Sequence, residues 1–225
     1  MTANGPAGPR VKGTTPSTTP PRRKEAKRAA SPGIAAARIG VVLGSTRPGR
    51  RSPGVGRWLL DVGSAHLRDS WPGMSLDLID IADFELPLLD ESVPAALGTY
   101  ARPHTRRWAS AVDACDGFVF VTPEYNRSLP AALKNAIDYL FAEWHDKAAG
   151  LVGYGVLGGV RALEHLRQVL AEVKVADVRT AVTLSLSDDL AGSGVAARPH
   201  QCEQARRMLD EVASWTRALE PLRSR

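Results

Sequence analysis

The sequence predicts an α/β fold, a doubly wound five-stranded parallel sheet with helices on both faces. Two observations predict it. Short, nearly continuous apolar runs recur at 38–43, 76–81, 117–121, 151–156 and 178–186, as strands covered on both faces do. Longer amphipathic stretches lie between and after them, at 54–69, 99–114, 130–143, 161–173 and 199–222. Strict alternation of β and α units implies right-handed crossovers and parallel strands. Five strands and five helices fit the order 2-1-3-4-5, which gathers the loops at the carboxyl ends of the strands into a ligand site. No internal repeat or second domain is apparent.

The first strand, Ile39-Gly40-Val41-Val42-Leu43, runs directly into Gly44-Ser45-Thr46-Arg47-Pro48-Gly49-Arg50-Arg51-Ser52. Glycines admit a ligand close to the backbone, the following helix offers free N–H groups, and arginine supplies a fork of donors. The loop suits a phosphate. Gly44 and Gly49 have Walker A spacing, but Arg50 and Arg51 replace the phosphate lysine and the magnesium hydroxyl, which argues against a nucleoside triphosphatase. A terminal phosphate monoester fits better, with hydroxyls from Ser45, Thr46 and Ser52 and a charge-assisted pair from Arg47.

The third strand, Phe118-Val119-Phe120-Val121, enters Thr122-Pro123-Glu124-Tyr125-Asn126-Arg127-Ser128-Leu129-Pro130. Two prolines stiffen this loop into a platform for a planar ring, and Tyr125 adds an aromatic face. Pro130 then opens a helix where proline is tolerated. After the fourth strand comes Gly153-Tyr154-Gly155-Val156-Leu157-Gly158-Gly159, whose GxGxxG spacing invites a dinucleotide reading. That fingerprint belongs after the first strand, with an acid ending the second. Here Asp177 precedes a strand instead, so a glycine-walled wedge against a flat ligand is the better reading. In the helix that follows, Leu163, Leu166, Val169, Leu170 and Val173 recur at three- and four-residue spacing.

The net charge of +5 and the pI near 9.5 belong to one end of the chain. Residues 1–33 hold seven Lys/Arg and one acid, leaving the remainder at −1. This Pro/Thr-rich segment lacks apolar periodicity and is expected to be a disordered, solvated extension, the alternative being weak nucleic-acid or anionic-surface binding by its Arg22–Arg28 cluster. Neither a secretory signal nor a bilayer-length apolar run is present. Cys115 and Cys202 have no metal-ligand spacing and make no disulfide framework, which points to a reducing cytoplasm. His66, His104, His165 and His200 show no ligand spacing, and Trp58, Trp71, Trp108 and Trp215 are expected to serve helix packing or partly exposed surfaces.

Three segments in this order, Gly-Ser-Thr-Arg at 44–47, Thr122–Leu140 and Tyr154–Gly159, resemble the NADPH-dependent FMN reductase family, flavodoxin-like proteins of the quinone and azo-compound reductase group. The resemblance spans residues 38–220. It implies bound FMN, with Ser45, Arg47 and Ser52 on the phosphate and backbone help from Gly54 and Val55. Pro123, Glu124, Tyr125 and Asn126 would line the isoalloxazine largely through main-chain atoms, and Tyr154, Gly155 and Gly159 would close its other side. Many members place Ser-Xaa-Asn where this chain has Ser52-Pro53-Gly54. The resemblance further implies hydride transfer from NADPH or NADH, a quinone, azo compound, metal ion or free flavin as acceptor, and a homodimer or homotetramer. No catalytic side chain, metal, membrane or nucleic-acid partner is expected. Residues 140–147 are a candidate interface with Trp144 as an anchor, and the adjacent His145 and Asp146 fit a structural or interface role. The alternatives are an FMN electron carrier and a flavin-dependent binding or sensor protein.

Overall fold

The computed structural model describes residues 1–2, 36–192 and 194–223; residues 3–33 of the expected amino-terminal extension lie outside them. Its elements in chain order are β1 (Ala37–Leu43), α1 (Ser52–Ser70), β2 (Met74–Asp80), α2 (Pro103–Asp113), β3 (Gly117–Pro123), α3 (Ala131–Asp138), β4 (Lys147–Gly155), α4 (Val160–Glu172), β5 (Val175–Ser185), the short pair β6 (Leu190–Ala191) and β7 (Gly194–Val195), and α5 (Pro199–Arg223). The five long strands pair in parallel in the order 2-1-3-4-5, as the alternation of apolar runs and amphipathic stretches predicts.

Side-chain alternation divides the core in two. Ile39, Val41, Val119, Val121, Ala148 and Val152 point to the face covered by Val55 and Leu59 of α1 and by Met208, Leu209 and Val212 of α5. Val42, Phe118, Phe120, Ala149 and Leu151 point to the other face, where Trp108 of α2, Leu133 and Ile137 of α3, and Leu163 and Leu166 of α4 cover them. The central strands β3 and β4 are buried along their whole length, whereas β2 at the edge alternates, which is why β2 has the weaker apolar signature. The register brings Leu43 level with Asp80 and Val121, Pro123 level with Tyr154, and Gly155 level with Ser185. The carboxyl ends of all five strands therefore form one rim.

Several boundaries differ from the sequence expectation. β4 begins at Lys147, not 151, because Lys147 is itself buried and donates from Nζ to the Val112 and Asp113 carbonyls at 2.9 and 3.2 Å. It thereby satisfies the last carbonyls of α2 and faces the negative end of that helix. Helix α3 ends at Asp138 rather than 143, and a 3-10 turn at Ala142–Trp144 follows. Trp144 is not an anchor for a partner. It is fully buried, packs on Phe118, Phe120 and Trp108, and donates to the Ile137 carbonyl. Asp177 lies inside β5 rather than before it, and the short β6–β7 hairpin is an element the apolar runs did not predict.

Candidate functional site

The first loop is built on a β-turn. Arg50 N–H donates to the Arg47 carbonyl at 3.1 Å, with Pro48 and Gly49 between them and Gly49 at φ +70°. Proline followed by a positive-φ glycine is the signature of a type II turn. It sets Arg47 and Arg50 side by side at the turn's two ends. Arg47 is exposed. Arg50 is largely buried and donates from Nη2 to Asp80 Oδ2 at 2.6 Å, while Asp80 Oδ1 accepts from Ala82 N–H at 3.1 Å. Helix α1 then starts with no side-chain cap and no acid in its first turn, leaving its N-terminal donors open to an anion.

Ser45 is buried, and its hydroxyl shares a 3.0 Å hydrogen bond with the Tyr125 hydroxyl, joining the first loop to the third-strand loop. In that second loop Tyr125 and Ser128 exchange backbone bonds of 2.9 and 3.0 Å around Asn126 and Arg127, both at positive φ. This tight two-residue hairpin turn puts Asn126 at an exposed tip. Glu124 is committed at both ends. Its N–H donates to the Tyr154 carbonyl at 2.9 Å, and its carboxylate accepts from the Arg161 N–H at 3.1 Å and from Arg161 Nη1 at 3.0 Å. Helix α4 has a glycine at its N-cap, with no side chain to cap it; Glu124 supplies that acceptor from the neighbouring loop.

The glycines of the third loop serve close packing. Gly159 has φ +79°, and a Cβ there would stand 2.6 Å from Tyr154 N; a Cβ on Gly155 would stand 3.2 Å from Glu124 Cβ. The loop folds against the platform with nothing between them. Leu186, after β5, donates its N–H to the Gly155 carbonyl at 3.0 Å and becomes a further wall.

These loops enclose a cleft of about 370 Å³ lined by Arg47, Gly49, Arg50, Arg51, Pro123, Glu124, Tyr125, Tyr154, Gly155 and Leu186, within the range of small-molecule sites. Of the residues expected from sequence, Arg47, Pro123, Glu124, Tyr125, Tyr154 and Gly155 meet there. Ser45 stands behind Tyr125; Ser52, Gly54 and Val55 are buried in the first turn of α1; Gly159 underlies Tyr154. Asn126 does not line the cleft. Sequence reasoning missed Leu186 and Asp80. The sequence places Arg50 and Arg51 where a Walker A loop has its lysine and hydroxyl, not as phosphate ligands of the cleft.

Tyr154 is buried and its phenol is pushed up to about 12, by burial first, then by Tyr125; Ser52 and the Arg50 charge pull the other way. It is a neutral hydroxyl at physiological pH. Three buried polar atoms around this corner, Arg50 Nε, Ser52 Oγ and Tyr154 Oη, have no hydrogen-bond partner. Ser52 lies near Tyr154 without reaching bonding geometry. An unsatisfied buried group costs about 1–3 kcal/mol, and Arg50 and Tyr154, which carry two of the three, line the cleft.

The sequence profile of NADPH-dependent FMN reductases matches residues 37–189. The chain belongs to this family. It is similar to an NAD(P)H-dependent FMN reductase of Nectria sp, 34% identical over 161 residues, covering 68% of this chain and 79% of the relative. It is also similar to one of Saccharomyces cerevisiae, 38% identical over 146 residues, covering 61% and 75%. Among solved structures, a flavoenzyme NAD(P)H:(acceptor) oxidoreductase of Paracoccus denitrificans superposes with a TM-score of 0.60 at 22% identity, covering 81% of this chain and 98% of that one, a likeness of fold. The family's FMN fits the residues present. A phosphate monoester suits the unpartnered donors on Arg50 and Tyr154 and the uncapped start of α1, and a flat ring suits the cleft beside Pro123, Glu124 and Tyr125. Among the described residues no helix is long and apolar enough to cross a membrane, and no group of three or more His, Cys, Asp or Glu could hold a metal ion.

Proposed function

We propose that this protein is an FMN-dependent oxidoreductase that takes hydride from NADPH or NADH and passes electrons to a small-molecule acceptor such as a quinone. The observation that carries the reading is the convergence of Arg50 Nε, Ser52 Oγ and Tyr154 Oη, all buried and unpartnered, at the uncapped start of α1. Bound FMN would accept the hydride and donate the electrons. The chain's own residues bind and orient. Arg47, Ser52, Gly54 and Val55 hold the phosphate, with Ser45 fixing Tyr125 behind it. Pro123, Glu124 and Tyr125 form the platform, with Asn126 at its exposed outer tip, and Tyr154 and Gly155 form the adjoining wall, with Gly159 packed beneath Tyr154. Arg161 keeps Glu124 from turning into the slot. No side chain in the cleft need move a proton for hydride transfer, and Tyr154, held neutral by burial, stays a hydrogen-bond donor throughout.

The test is direct. Titration with FMN should quench flavin fluorescence to a stoichiometric end point, and anaerobic NADPH or NADH should then bleach the bound flavin at a rate compatible with turnover. Bleaching by neither nicotinamide refutes the oxidoreductase and leaves an electron carrier; no uptake of FMN refutes both.

We further propose a homodimer. Leu88, Leu89, Val93 and Leu97 are exposed on the segment between β2 and α2, a concentration of apolar side chains suited to a second copy. A monomer in sedimentation at micromolar concentration would exclude it. The free thiols of Cys115 and Cys202 support a reducing, cytoplasmic compartment.

A further inference from the structure

We propose that Arg50 is a preorganised phosphate ligand of the cleft and that Asp80, at the end of β2, is its positioning residue. The inference rests on the reading of the cleft as an FMN site and adds to it one residue of the first loop and one at the end of β2.

Arg50 and Arg47 stand at opposite ends of one β-turn, yet they are not equivalent. The Arg47 side chain is exposed and must be ordered by whatever it binds, which opposes binding through lost rotamer entropy. Arg50 is already ordered. Its side chain is 22% exposed and that of Asp80 17%, and the 2.6 Å bond from Nη2 holds the guanidinium plane. Asp80 is itself held, since its second oxygen accepts from Ala82 N–H. A guanidinium fixed solely for structure would have its buried donors satisfied by the protein. Instead Nε is buried without a partner, on a residue that lines the same cleft as Tyr154. The Tyr154 and Ser52 hydroxyls nearby are in the same condition. Three unpartnered donors of different chemistry, on two residues that line the cleft and on Ser52 at the start of α1, suit an oxyanion with several acceptor oxygens, and a phosphate monoester supplies them.

The experiment compares two flavins that differ in the phosphate alone. Dissociation constants for FMN and riboflavin are measured by fluorescence titration on the full chain, for the wild type and for Arg50→Ala, Arg50→Lys and Asp80→Asn. Loss of one charge-assisted hydrogen bond corresponds to a weakening of about 10- to 150-fold. Arg50→Ala should lose FMN affinity by that factor while riboflavin affinity stays the same. Arg50→Lys keeps the positive charge toward Asp80 but lacks Nε, so it should fold and still lose FMN preference. Asp80→Asn retains an acceptor for Ala82 N–H and should lose part of the preference without altering riboflavin binding. If Arg50→Ala does not fold, the lysine variant decides. Equal weakening of both flavins would make the Arg50–Asp80 pair purely structural, and an unchanged FMN to riboflavin ratio would remove Arg50 from the phosphate; either result overturns the proposal while leaving the flavin site intact. A wild type that binds neither flavin refutes the site reading itself.

Discussion

Gly159→Ala should damage this protein well beyond what a surface glycine substitution does. Gly159 has φ +79°, and a Cβ would stand 2.6 Å from Tyr154 N and 2.9 Å from the Gly153 carbonyl carbon. Left-handed backbone costs an L-residue roughly 1–2 kcal/mol, and forcing packed groups apart adds about 1–3 kcal/mol. The expected loss is therefore about 2–5 kcal/mol. For a domain of this size each kcal/mol lowers Tm by about 2–4 °C, so Tm should fall by roughly 4–20 °C. Gly49→Ala is the control, since Gly49 has φ +70° but nothing within 4 Å of its Cβ position. It should show the conformational term alone, roughly 1–2 kcal/mol. Thermal unfolding followed by circular dichroism measures both, and FMN titration should show weaker binding in Gly159→Ala because the obstructing atoms belong to Tyr154 and Gly153. If the two variants lose the same Tm, the close approach of the third loop to its own strand is not what the glycine serves.

Arg47→Ala should weaken FMN binding by about 10- to 150-fold, the equivalent of one charge-assisted hydrogen bond; an unchanged dissociation constant would show that Arg47 does not reach the phosphate. Tyr154→Phe should have opposite effects on the two states. It removes an unpartnered buried hydroxyl, so the flavin-free protein should gain up to about 1–3 kcal/mol in urea unfolding while FMN affinity falls; a variant destabilised without flavin would contradict the open-donor account. Asp189 gives a pH dependence. Burial works to raise its pKa, but the Ser185 N–H, Gln201 and Arg198 outweigh burial, and the carboxyl lies below its ordinary 3.8. A carboxyl lowered on folding stabilises the protein above its unfolded pKa, and that contribution is lost as pH falls through the folded value. Asp189→Asn should therefore flatten the acid limb of the stability curve below about pH 4, and an acid limb identical to wild type would exclude Asp189 as its source.

The strand order and the three converging loops were legible because each rests on local signals: apolar runs of strand length, glycines, and prolines at loop edges. What was illegible depends on partners distant in sequence. Lys147 reads as a polar residue outside a strand until the end of α2 is seen to need a donor for its carbonyls. Trp144 reads as an interface anchor until Phe118 and Phe120 are seen beneath it. The run Lys-Asn-Ala-Ile-Asp-Tyr at 134–139 lies within the segment Thr122–Leu140 that carries the resemblance, and the sequence assigns its side chains no role. Asn135 accepts from Leu89 N–H and donates to the Pro87 carbonyl, and the Tyr139 hydroxyl donates to Asp90, so α3 straps down the segment that follows β2. Nothing in the periodicity of α3 announces that, since the strapping residues lie some 46 to 49 positions away from their partners.

The links around the cleft follow the strand order. Asp80 at the end of β2 holds Arg50 of the loop after β1. Ser45 of that loop holds Tyr125 of the loop after β3. Glu124 there holds Arg161 beyond β4, and Gly155 at the end of β4 holds Leu186 beyond β5. Each neighbouring pair in the order 2-1-3-4-5 is thus fastened once more just past its last ladder bond, by a different chemistry each time: ion pair, shared hydroxyls, ion pair with a helix start, backbone bond. Loops at a sheet edge are ordinarily the mobile part of such a fold. Here they form a continuous rim whose spacing is set by the strands, about 4.8 Å from one to the next. A slot of fixed width orders a flat ring without rearrangement on binding. Arg161→Ala, which cuts one of these links from a residue that does not line the cleft, should therefore weaken FMN and riboflavin binding alike.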